Sequence, residues 1–390
     1  MSIGPFFLPM AADLGLSRSQ LASIVAVGML VYGLAMPLAA HIVNRRGTRF
    51  VLLLGTAMVV AAIAWTVLVH DATSLLLSFG ILLSVGLAFT GPVAVTPVIS
   101  RWFQRQRGMA LLFLSTGSMA GMGVLTPILS YAIGEVGWRA TLAGFAAVFA
   151  VLAVPLAVFV VRDDAPAGTD MGTVQAHAEP PLAALGFAGA VRTAPFVMVS
   201  FGLFVCGFSM NLLGTHGMPM LMDHGFDAAT SAHGIGAIGL TAILGTVILG
   251  RIADRLPRKN LLAAIYLVRG LGFFALLVVG THFELYAASV VGGLVWAGSI
   301  ALSSAILADV YGVRLVGILY GWSYVGHQVG ATISSWLGGW GFDIWGSHWP
   351  AFGAAGALLV MGAVVVYRLP ASEPRRLLAA QLLPPSGNDR

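Results

Sequence analysis

One arginine, two histidines and a glutamine sit where the chain otherwise offers hydrocarbon. Arg269 lies about ten residues into the apolar stretch 260–280, His216 late in 196–222, and His327 with Gln328 midway along 313–338. At 1.5 Å per helical residue, Arg269 is roughly 15 Å from the near end of its stretch. A charge that deep in a bilayer costs at least about 2.5 kcal/mol, so it needs a partner or a task. A guanidinium offers paired donors to a carboxylate. An imidazole donates to the same group and exchanges a proton near neutral pH. The chemistry these residues share is recognition of an organic anion. The plainer readings stand beside it. Arg269 snorkels toward the nearer face, or pairs with Asp309 or with helix-end carbonyls. The histidines make interhelical hydrogen bonds, worth about 0.6 kcal/mol each on average.

Spacing widens the set. Tyr320, Tyr324 and His327 or Gln328 fall at i, i+4 and i+7 or i+8, one face of a helix. Asn211 and Thr215 stand four apart, and Trp296 lies close to Ser299 and Ser303. Asn211, Tyr324 and Trp296 join the candidate substrate residues, with packing or backbone bonding as the alternative for each.

What is missing matters as much. All fifteen acidic residues fall in polar segments or near helix ends, with Asp309 and Glu284 the nearest to an apolar interior. Proton-driven transporters often use a buried carboxylate, so carboxylate-based proton coupling is not expected, nor is a cationic substrate. Paired acids for magnesium, buried Asp pairs, Ser-His arrangements and zinc ligands are equally missing. The chain reads as no enzyme, with no metal and no cofactor. The single Cys206 excludes an intrachain disulfide and a thiolate metal cluster. No nucleic-acid motif accompanies the net charge of +5.

The elements that must position these residues are long and apolar. Stretches 20–43, 50–69, 74–99, 108–133, 140–161, 196–222, 228–250, 260–280, 284–308, 313–338 and 348–367 each match the roughly 20 residues that cross a bilayer core. They are spans two to twelve. Residues 1–11 make half of span one, so the true start is expected upstream, with a working stub as the alternative. With 58% hydrophobic and 9% charged residues, far below the ~25% charged of a soluble domain, the chain is an all-α polytopic membrane protein with eleven full spans.

Charge sets the orientation. Seventeen basic residues lie on one side of the spans and only Arg18 and Arg139 on the other, a positive-inside bias. The arginine-rich side, including the central loop and the C-terminus, is therefore expected to be cytoplasmic. Arginine outnumbers lysine 19 to 1, which fits a GC-rich bacterial source and so a bacterial cytoplasmic membrane. The long polar stretch divides the chain into residues 1–161, a central loop 162–195, residues 196–368 and a tail 369–390. The segment Pro181 to Thr193 either lies along the membrane surface or serves as a flexible linker. Gly91-Pro92 and Pro97 should bend span four.

The halves repeat. After span two come Ala40, Asn44, Arg45, Gly47 and Arg49; after span eight, 210 positions on, come Gly250, Asp254 and Arg255. Two six-helix halves with matching basic loops mark a transporter that rocks about a midplane site. Here the chain resembles the major facilitator superfamily, whose loop reads Gly-x-x-x-Asp-Arg-x-Gly-Arg-(Arg/Lys). The second copy keeps Gly250, Asp254 and Arg255, while the first departs at Ala40 and Asn44. The resemblance implies that Asn44, Arg45, Gly47, Arg49, Gly250, Asp254 and Arg255 serve conformational gating, with a weakened latch at Asn44.

Arg101-Trp102-Phe103 before Arg107-Gly108, Cys206-Gly207-Phe208 with Thr215-His216, and His327-Gln328-x-Gly330 leading to Gly338-Gly339 and Phe342-Asp343 are similar to the bacterial monocarboxylate-porter and oxalate/formate-exchanger branch. That likeness implies a major facilitator fold of two pseudo-symmetric halves, with spans seven and eleven lining the cavity and span nine more peripheral. It implies a monomeric secondary transporter of a small organic anion, with a proton or a counter-anion as the coupled partner. The alternative cargo is a neutral metabolite or a drug-like solute.

Overall fold

The computed structural model describes residues 3–102, 114, 116–162, 186–253 and 256–369, and every regular element among them is helical. Gly4–Asp13 forms the half-length first helix. Span two, Arg18–Arg46, starts at a capping box in which the Ser17 hydroxyl accepts from the Gln20 backbone and the Gln20 side chain accepts from the Ser17 backbone. Such reciprocal capping satisfies two of the N–H groups that open a helix. Span three is Thr48–Thr66. Span four runs from Ala72 to Trp102 and breaks after Thr90, at Gly91, before restarting on Pro92. The bend expected from Gly91-Pro92 is therefore present.

Spans five and six form one apolar helical run, Thr116–Val160, of 45 residues. Its length of about 68 Å at 1.5 Å per residue would cross a bilayer core twice. Gly137 turns it back on itself, with φ 79° and ψ 165°, a conformation essentially confined to glycine. Span seven is Ala194–Asp223, span eight Ala228–Ala253 and span nine Arg258–Leu277. Span ten is two helices, His282–Leu294 and Gly298–Tyr311, separated at Val295–Ala297. Hydropathy alone reads 284–308 as continuous, and the break is a finding of the structure. Span eleven, Val313–Trp345, is the longest single helix, and Trp349–Tyr367 is span twelve.

Two N-caps precede spans four and eight. The Asp71 carboxylate accepts from the Ser74 N–H at 2.8 Å and that of Asp227 from the Thr230 N–H at 2.7 Å. These backbone donors favour the charged form and hold both carboxyls below the usual range.

The apolar core divides by chain position. One cluster spans Ala190 to Leu369 and takes in only Met119 and Met122 from the first half. Two others lie between Ile3 and Phe149, and Tyr324 of the second half packs against one of them. The groups meet along two seams, span two on span eleven and span five on span eight, while the first helix lies on span seven. Exchanging the halves maps two onto eight and eleven onto five, so the seams are equivalent. Arg18 and Ala228, which open spans two and eight, are also 210 positions apart. Large apolar side chains such as Val148, Val151 and Phe159 of span six are exposed, as a face toward lipid requires.

Of the central loop, Phe187–Ala190 forms one helical turn, with Phe187 against Trp322 at 6.3 Å. The rest of that loop's acidic segment and the tail beyond Leu369 lie outside the described residues.

Candidate functional site

Glycine brings spans seven and eleven into backbone contact. A Cβ on Gly207 would overlap the His327 carbonyl, and one on Gly330 would overlap that of Phe204. This approach sets His327 and Gln328 beside Cys206 near the middle of the bundle. His327 Nδ1 lies 2.9 Å from Gln328 Oε1, and Gln328 Nε2 donates to the Met29 carbonyl of span two at 3.4 Å. The amide is thereby oriented: its NH2 faces Met29, so its oxygen faces the ring. Nδ1 must then be the donor, and in the neutral ring Nε2 carries only a lone pair. His327 Nε2 is buried without a hydrogen-bond partner. The Tyr324 ring stacks on His327 at 4.7 Å, nearly parallel.

Arg269 lies behind this pair, only 1% exposed. Its Nη2 donates to the Val295 carbonyl at 2.9 Å, to the Trp296 carbonyl and to Ser299 Oγ at 3.2 Å. Those carbonyls belong to the break in span ten, so the guanidinium caps the open C-terminal end of His282–Leu294. A cation there also complements the helix dipole. Its Nη1 lies 3.5 Å from Cys206 Sγ, and the guanidinium carbon is 5.0 Å from the centre of the Trp296 ring. Cys206, fully buried, is 3.2 Å from Ser299 Oγ and interacts electrostatically with both Arg269 and His327. A polar line thus runs from Arg269 through Cys206 to His327, Gln328 and the opposite half of the bundle.

Among the readings open for Arg269, the helix-end carbonyls are what the structure shows. Asp309 is engaged elsewhere, by Arg258 at 2.5 Å. Arg269 Nε has no partner.

His216 and Asn211 stand apart from this line. His216 Nε2 donates to the Ser335 carbonyl at 2.8 Å, and its ring meets Phe7 of the first helix edge-on at 4.9 Å. Asn211 Nδ2 donates to the Ala331 carbonyl at 2.8 Å. Both bind span seven to span eleven. Trp296, 3% exposed, contributes its carbonyl and ring to Arg269. Of the gating candidates, Arg45 and Arg49 are exposed, with Arg49 Nη2 on the Val161 carbonyl at 3.3 Å. Gly47 closes span two with φ 81°, and Gly250 sits near the C-terminal end of span eight. Asp254, Arg255 and the Asn44 side chain lie outside the described residues, as do Phe103, Arg107 and Gly108.

Sequence reasoning passed over three participants: the Met29 carbonyl, the span-ten break and Cys206 as the bridge. A backbone carbonyl leaves no trace in residue types, and Val295 and Ala297 read as ordinary helix.

A family model described as Major Facilitator Superfamily matches residues 1–281 and 217–385. An uncharacterized MFS-type transporter, YcxA of Bacillus subtilis (strain 168), is 27% identical over 372 residues, covering 93% of this chain and 86% of that protein. Monocarboxylate transporter 11 of Homo sapiens is 27% identical over 397 residues, covering 96% and 79%. The MFS transporter asaE of Aspergillus flavus is 24% identical over 331 residues, covering 83% and 71%.

Proposed function

This chain belongs to the Major Facilitator Superfamily, a multi-pass membrane transporter and no enzyme, and on that footing we propose that it moves a small organic anion, a monocarboxylate first, by alternating access. One observation carries the reading: Arg269 is a fully buried cation whose described partners are carbonyls, a thiol and a hydroxyl, never a carboxylate. Its charge is left to favour an anion nearby. The similarity to proteins named as monocarboxylate transporters supports the same cargo.

In this reading His327 and Gln328 meet the substrate at the seam of spans two and eleven, and Tyr324 walls the site. Arg269 acts from behind through Cys206. His216, Asn211 and Trp296 hold the helices that carry the site.

The histidine's tautomer bears on the coupled ion. With Nδ1–H given to Gln328, neutral His327 keeps only the Nε2 lone pair, on a ring that also interacts with the Cys206 thiol, and so offers a carboxylate no donor. Only the imidazolium donates there. Anion and proton therefore bind together, which favours symport with a proton over exchange for a second anion.

The charge bias of the loops supports a C-terminus and central loop on the inner side, and the arginine-over-lysine usage supports a bacterial cytoplasmic membrane. The protein is expected to work as a monomer. A purified sample in detergent, heated with and without a panel of monocarboxylates, tests the cargo. Stabilisation by an acid in the wild type but not in His327→Ala is expected. A stabilising acid whose effect survives His327→Ala would remove His327 from the site.

A further inference from the structure

The two arginines on the sparsely charged face are both engaged. Arg139 pairs with Asp13 inside the first half. Arg18, at the outer end of span two, crosses to the second half and grips Asp223 at the end of span seven with both terminal guanidinium nitrogens, the Nη2–Oδ1 arm at 2.9 Å. The Arg18 guanidinium also lies over the Phe342 ring, 3.8 Å from its centre. Asp223 is pre-aimed: His348 Nε2 donates to its Oδ2 at 2.8 Å from within the same half. Next to it the Ser19 N–H donates to Asp343 Oδ2 at 2.9 Å.

Among the described residues, the ties on the arginine-rich face are of another kind; residues 103–113, Asp254, Arg255 and the Asn44 side chain lie outside them. Arg49 with the Val161 carbonyl and Trp102 with the Arg162 carbonyl stay inside the first half. Arg258 with Asp309 and Lys259 with the Leu369 carbonyl stay inside the second. Hydrogen bonds joining described residues of opposite halves run from Arg18–Asp223 and Ser130–Ala228 at the outer face, through Ser335–Ala22, to Gln328–Met29 at mid-depth.

We propose that Arg18, Asp223 and His348 form a releasable latch that holds the outer mouth of the transport path shut. Release separates Arg18 from Asp223 and Phe342 and returns the guanidinium to water. Asp223 keeps its hydrogen bond to His348, and a cavity of about 410 Å³ against Asp223, Phe342 and His348 gives its carboxylate room for solvent. The latch is thus built to open without stranding a charge. It rests on membership of the transporter family and on no particular cargo.

The test needs no substrate. Ser335 is buried at the outer part of the seam, its hydroxyl on the Ala22 carbonyl. In a Ser335→Cys protein, with Cys206 buried in the parent, labelling by a membrane-impermeant maleimide from the outer side reports opening. Arg18→Gln and Asp223→Asn should each raise the labelling rate several-fold, and the swap Arg18→Asp with Asp223→Arg should bring it back toward the parent. Folded single variants that label no faster than the parent would overturn the latch. A second measurement is independent of those variants. Cysteines at Ser19 and Asp343 should be cross-linked by a mild oxidant in the resting protein, and no cross-link would overturn an outer face held closed.

Discussion

Arg269 neutralises nothing acidic among the described residues; it closes a gap in span ten. Hydrogen bonds to a charged group contribute about 1.5–3 kcal/mol each, and this guanidinium makes several. Arg269→Gln should therefore lower the melting temperature sharply as well as weaken anion binding. Arg269→Lys, a point charge without the planar fork, should keep part of the binding and lose most of the capping. Melting in detergent beside an anion titration separates the two. A substitution that leaves stability intact would show that the cap is ornamental. The sequence showed the depth of Arg269 but left its partner open. The acceptors are backbone atoms of Val295 and Trp296, and both residues suit a helix as well as a break. His327 and Gln328 were legible as polar groups in hydrocarbon. Their mutual bond and its reach to Met29 were not, because these depend on how two distant spans sit together.

Helix contacts explain why small residues recur where they do. Gly207 and Gly330 let spans seven and eleven touch backbone to backbone, and in lipid such close packing replaces the hydrophobic drive. Gly207→Ala places a methyl in the His327 carbonyl and should cost about 1–3 kcal/mol, as overpacking does. It should also impair transport by pushing His327 off its place. Gly137→Ala strains the turn between spans five and six by about 1–3 kcal/mol at a site far from His327, so it should reduce stability alone. Melting and uptake measured on both variants test the contrast. Hydropathy made the spans legible, and Gly91-Pro92 made the bend in span four legible. Proline announces itself through its missing donor. Span ten offers no such sign, since its break is held by a side chain from span nine.

At the scale of the molecule, two equivalent seams join the halves, and their polar bonds among described residues gather at mid-depth and at the arginine-poor face. The tie between Arg18 and Asp223 is partly exposed, at 19% and 28%, so water screens and weakens it. That weakness suits a contact that must be broken in every cycle. The basic-loop repeat was legible as an offset of 210 residues, and the helices keep it. The latch was not legible, because Arg18 and Asp223 are 205 positions apart and belong to different halves. Orientation is checked by fusing a reporter after Arg390. Activity is expected only from one that works in the cytoplasm, and the opposite result would invert the topology.

Uptake by purified protein in proteoliposomes tests the central claim most directly. Radiolabelled monocarboxylates would be offered with the outside more acidic than the lumen, and then with no gradient. Saturable uptake is expected, increased by the acid-outside gradient, inhibited by other small acids but not by neutral solutes, and lost in His327→Ala. Uptake of a neutral solute with no carboxylate transported, or carboxylate uptake indifferent to the gradient and to His327, would contradict the account.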